Sequence, residues 1–136
     1  MVSPHMKPAR STAAATARRV GVLMLSAFPL YGIGGMIATK AAAATTADGT
    51  ALLPVGAVMM LLNSAVVIAI GVLMLPILRS RSPIVAVTYL ATRIFEGVVL
   101  AAGVVSLLSL SSSAIAGNFL AYNIAMAGLG VGSLFF

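Results

Sequence analysis

Four long apolar runs separated by short polar breaks organise the chain. They cover about residues 20–39, 52–78, 84–110 and 117–136. A hydrocarbon core about 30 Å thick takes about 20 helical residues to cross, so each run is long enough to be a transmembrane helix. The polar breaks carry the turn chemistry. Residues 40–49 form a short loop with Lys40 and Asp48, and Arg79-Ser80-Arg81-Ser82-Pro83 forms a tight basic turn. Pro83 favours an extended residue before it and opens the third helix at its first turn. Pro54 and Pro76 fall near the two ends of the second run, where a helix tolerates them. A last polar loop spans about 111–118. Ahead of the first run, residues 1–19 are polar, basic and Ala/Thr-rich with Pro4 and Pro8, which predicts a disordered cytosolic tail. The expected fold class is all-α: a polytopic integral membrane bundle of four helices over residues 20–136.

Composition sharpens this picture. The 136 residues are 61% hydrophobic and 7% charged, whereas a soluble domain carries roughly a quarter of its residues charged. Lipid is therefore the expected solvent and first partner of this chain. Cysteine is absent, which excludes disulfides, thiolate metal sites, Fe–S ligation and cysteine nucleophiles. The only histidine, His5, cannot by itself build a zinc or bis-histidine haem site. Met59 and Met60 are adjacent and face different ways on a helix, so the methionines read as packing or lipid-facing side chains. No metal and no cofactor is expected.

Net charge is +6, but the basic residues are placed for topology. Lys7, Arg10, Arg18, Arg19, Arg79 and Arg81 all flank apolar runs, and no basic stripe with interleaved aromatics exists, so nucleic acid is not an expected partner. With the N-terminus inside, those six residues face the cytosol and only Lys40 faces out, which the positive-inside rule favours. Arg18-Arg19 followed by an apolar run and Ala41–Ala44 also has a reading as a cleaved signal peptide. The run is longer than the about 7–15 residues of a signal h-region, and Arg18-Arg19 lacks the fuller twin-arginine pattern. The fourth run reaches Phe136 without a basic anchor, so a longer parent protein is expected.

Candidate chemistry concentrates in the third run. Arg93 is the only basic residue inside an apolar run, and Glu96 is one of two acidic residues in the chain. Measured from residue 84 at 1.5 Å per residue, they lie about 14 and 18 Å into the membrane, near its midplane. Each would cost about 2.5–3.5 kcal/mol there if unpaired, and ionisable residues at that depth are functional candidates. Their i, i+3 spacing makes them neighbours on one helix face. Tyr89 and Thr92 extend the polar stripe, and Gly97 with Ala101 adds a small-residue strip that suits helix packing. Asn63, mid-way along the second run, is the preferred partner because an amide both donates and accepts. Tyr122 and Asn123 are weaker candidates.

The cluster has two readings. In one, Arg93, Glu96 and Asn63 form an interhelical clamp in a non-enzymatic scaffold or partner-binding protein, as a homo-oligomer or with another membrane protein. In the other, Glu96 titrates in a small-solute or proton-coupled transporter. Few other polar residues line a path, which favours the clamp. No catalytic set is present, so no enzyme is expected. Gly34-Gly35 with Ala38 and Gly128 with Gly132 repeat the small-residue spacing, which is common in Ala/Gly-rich helices.

Several of these segments also resemble a known family. Ala17-Arg18-Arg19-Val20-Gly21, Leu75-Pro76-Ile77-Leu78-Arg79, Tyr89-Leu-Ala-Thr-Arg93-Ile-Phe-Glu96-Gly97 and Gly130-Val-Gly132-Ser133-Leu-Phe135 are similar to a bacterial multi-pass family catalogued as domain-of-unknown-function family 4386. The resemblance covers about residues 17–136. It implies a bacterial cytoplasmic membrane, a parent fold of about six helices and an Arg-x-x-Glu pair that is a family feature. It implies no activity, substrate or cofactor.

Overall fold

The computed structural model describes residues 8–44, 50–109 and 113–133. Lys7, Asp48 and Phe136, and with them the outer parts of the expected tail, loops and fourth run, lie outside these residues. The described chain is helical throughout, in the order α1 (Pro8–Ala42), α2 (Leu53–Arg79), α3 (Pro83–Leu108) and α4 (Ala114–Ser133). All four are long and apolar enough to cross a membrane.

Helix bounds follow local chemistry. Ser82 takes an extended backbone conformation and its hydroxyl accepts from the Val85 N–H at 3.4 Å, while Pro83 opens α3 behind it. The preceding turn closes on one carbonyl, Leu78 O, which accepts from Arg81 N at 3.0 Å and Ser82 N at 2.9 Å. At the far end of α3, the Ser106 hydroxyl donates to Ala114 O at 3.4 Å and ties α3 to the start of α4.

Helix α1 departs from the expected bounds. It starts at Pro8, so the helix extends into the segment expected to be a disordered tail. Proline suits a helix's first turn, and the alanines that follow have the highest helix propensity. Helix α1 also runs on through Pro29, which has no N–H to give the carbonyl one turn back.

The helices run antiparallel in sequence order. Helix α1 packs on α2, α2 on α3 and α3 on α4, whereas α1 touches α4 only sparsely. The resulting bundle is tight at one end and open further along. A core of Ala38, Ala41, Leu53, Ala57, Met60, Val104 and Leu107 fills the end near the α1–α2 connection. Outward-facing apolar side chains cover the rest: Phe28 is 77% exposed and Ile84 79%. Burial from water of such side chains stabilises a fold by about 25 cal/mol per Å² of apolar surface, so this exterior belongs in lipid.

Close approach of α1 and α2 depends on glycine. A Cβ on Gly56 would fall 2.6 Å from Ala38 N and 2.7 Å from Gly34 O, backbone atoms that cannot swing aside. The Gly34–Ala38 spacing is thus a true helix contact. By contrast, a Cβ on Gly35 would meet nothing within 4 Å. Gly56→Val is therefore expected to lower stability in detergent by about 1–3 kcal/mol, the usual cost of overpacking, with Gly35→Ala close to neutral. Equal melting temperatures for the two variants would refute this account of the seam.

Candidate functional site

Arg93 and Glu96 meet within α3. Arg93 Nη1 donates to Glu96 Oε2 at 2.8 Å, and the two side chains are 12% and 5% exposed. One turn back, Tyr89 serves the same guanidinium twice. Its hydroxyl accepts from Arg93 Nε at 3.2 Å, and its ring lies 5.2 Å from the guanidinium carbon, within cation–π range. Helical geometry makes this stack local: side chains at i, i+3 and i+4 share a face.

Glycines let that face sit deep between neighbours. A Cβ on Gly71 of α2 would lie 2.8 Å from Arg93 Cβ, so the arginine's stem rests on bare backbone. Gly97, one residue beyond Glu96, likewise lies against Ile68 and the Ser64 carbonyl of α2. On the other flank, Gly128 and Gly132 of α4 receive Phe95 and Thr92 of α3.

The sequence-nominated residues divide accordingly. Arg93, Glu96 and Tyr89 form one bonded unit. Thr92 turns away from it toward α4, and its hydroxyl donates to Thr88 O at 2.9 Å. Asn63 is buried at 4% exposure beside the pair, yet no hydrogen bond joins it to Arg93 or Glu96, and its Oδ1 has no hydrogen-bond partner. Asn123 lies on the exposed surface of α4, donating to Phe119 O at 2.8 Å. Arg18, Arg19, Arg79 and Arg81 are all exposed, and the antiparallel order puts them at one end of the bundle.

A cavity of about 430 Å³ lies where α1 and α4 stay apart, and all four helices contribute to it. Arg93, Glu96 and Asn63 are on its wall, with apolar side chains such as Val67, Leu100 and Met126 making up most of the rest. Tyr31 of α1 and Tyr122 of α4 stack at 5.3 Å between ring centroids, with planes 23° apart. Both rings also line a second space of about 290 Å³, next to Thr39 and Asn118. The tyrosine pair therefore stands between the two spaces. Nothing local in the sequence distinguishes Tyr31 or Gly71 within their apolar runs. Among the described residues, no three His, Cys, Asp or Glu side chains come together as a metal site would need.

Four spanning helices around a buried ion pair and a cavity define a small multi-pass helical membrane protein. Within that class, the chain belongs to the family described as Domain of unknown function (DUF4386), which matches residues 19–135. No curated protein and no solved structure matches it.

Tyr89→Phe removes the acceptor for Arg93 Nε and keeps the ring. A loss of about 1 kcal/mol in detergent stability is expected, the net worth of one such hydrogen bond. An unchanged melting temperature would mean that the hydroxyl does not hold the guanidinium.

Proposed function

We propose that this chain is a non-enzymatic membrane protein that binds a partner within the bilayer, with Arg93–Glu96 as its structural clamp. One observation carries the reading: the pair is complete inside α3, and the arginine stem rests on Gly71 of α2. A self-neutralised pair can sit at the midplane without a mobile counter-ion. It fixes the rotation of α3 about its own axis, and so holds the neighbouring helix faces in place.

The test is a set of three variants measured for abundance and thermal stability in detergent. Glu96→Gln and Arg93→Leu each leave an uncompensated buried group, with an expected loss of about 3–5 kcal/mol. Arg93→Leu/Glu96→Leu removes both charges and should recover most of that loss. A double variant as unstable as the singles would sink the clamp.

A second reading has its own support, because Glu96 lies on a cavity wall and its position along α3 counts to about the middle of a spanning helix. In it the protein is a small-solute or proton-coupled transporter and Glu96 carries the proton. That reading expects Glu96→Gln to fold normally in proteoliposomes while losing uptake driven by a pH gradient.

Both readings take the N-terminus as inside, because the exposed arginines share one end of the bundle, and take the bacterial cytoplasmic membrane from the family resemblance. The chain has no cysteine, so single cysteines report on sidedness cleanly. In intact cells, Ala43→Cys should react with an impermeant maleimide and Ser80→Cys should not. The reverse pattern would invert the topology.

A further inference from the structure

We propose that the cavity is an intramembrane binding site for an uncharged amphiphile bearing a hydroxyl group, with Asn63, Arg93 and Glu96 at its polar end. This names the partner class for the binding reading above and rests on that reading.

Size comes first. At about 430 Å³ the cavity falls within the 300–1,000 Å³ typical of small-molecule sites. Its lining is also of that kind, mostly apolar with a few convergent polar groups.

Charge comes second. The guanidinium and the carboxylate are 2.8 Å apart and cancel. An anion drawn to Arg93 would be repelled by Glu96, and a cation drawn to Glu96 would be repelled by Arg93. A neutral occupant meets neither penalty.

Hydrogen bonding comes third. Asn63 lines the cavity, is 4% exposed, and its Oδ1 accepts no hydrogen bond. A buried acceptor without a donor costs about 1–3 kcal/mol, so an occupant that supplies one is favoured. Rotation of the amide exchanges its oxygen and nitrogen, so Asn63 can offer either to an occupant. A hydroxyl donates and accepts at one uncharged atom, and so answers an amide and a guanidinium together.

Access comes fourth. Phe28 is 77% and Met24 41% exposed on α1, at the edge of the cavity where α1 and α4 separate. A molecule dissolved in the bilayer can enter sideways past them, leaving its apolar body among Met24, Phe28 and Met126. The Tyr31–Tyr122 stack bounds the site toward the second space.

The test uses the full chain in lipid nanodiscs and a long-chain primary alcohol carrying a photoreactive diazirine. Its methyl ether, which lacks the donor, is the matched control. After illumination, mass spectrometry should find the alcohol on peptides that contain Met24–Phe28 and Tyr122–Met126. Labelling by the alcohol should exceed that by the ether about fivefold, as one hydrogen bond implies. Asn63→Leu should reduce the alcohol to the level of the ether. Ala27→Trp, which fills the cavity from α1 and keeps every polar group, should abolish labelling by both. Equal labelling by alcohol and ether in the unaltered protein would overturn the proposal, leaving a groove for acyl chains alone. Labelling that survives Ala27→Trp would overturn it as well, because it would report bulk lipid. The alcohol-to-ether ratio needs no variant, so misfolding of Asn63→Leu would not spare the proposal. Failure here with the clamp variants behaving as expected would remove only the ligand. Failure of those variants would remove the clamp itself.

Discussion

Taking a guanidinium and a carboxylate out of water costs several kcal/mol for each ion, and only close pairing with good hydrogen bonds offsets that cost. Much of this molecule is arranged around that constraint. Arg93 and Glu96 meet at 2.8 Å, Tyr89 takes a further guanidinium N–H, and the face they share is turned from lipid. Lipid cannot solvate such a face, so α3 must lie between two other helices. It does, with α2 on one flank and α4 on the other.

The glycines make that placement feasible. Without a hydrophobic driving force between helices, association in a membrane relies on close van der Waals contact and on hydrogen bonds. Gly71 and Gly97 bring α2 and α3 together beside the ion pair, and Gly128 and Gly132 bring α4 against α3. Helix α1 has a different anchor, the Gly34–Gly56 seam near the tightly packed end. Packed on α2, it meets α4 only sparsely. The cavity lies in the gap this leaves. The ion pair thus has a double setting, sealed on its flanks by glycine contacts and open in front to a space that all four helices line.

Some of the site was legible from spacing alone. Arg93, Glu96 and Tyr89 lie within two helical turns, so an i, i+3, i+4 argument was enough to bring them together. Asn63 lines the same cavity as the pair, but a shared depth on two antiparallel helices says nothing about whether a hydrogen bond forms. Thr92 shows the opposite failure. It is i−4 from Glu96, yet its hydroxyl bonds within α3 and its side chain fits against Gly132. A polar stripe on a helical wheel is wide enough to face two neighbours at once. Helix α1 begins upstream of the apolar run, where an alanine-rich stretch behind a proline extends the helix.

The sequence by itself determined that four helices are long and apolar enough to cross a membrane, where each begins and ends to within a few residues for the last three, and that Arg93 and Glu96 are neighbours on one helix face. Those properties depend on local hydrophobicity and on contacts between residues a few positions apart. Tertiary structure alone decided that Gly71 would seat Arg93, that Tyr31 and Tyr122 would stack across a gap, and that Asn63 would be buried with an unpaired oxygen. Each of these depends on how residues from different helices meet. Their geometry depends on how far apart and at what rotation whole helices pack, and no single apolar segment encodes that.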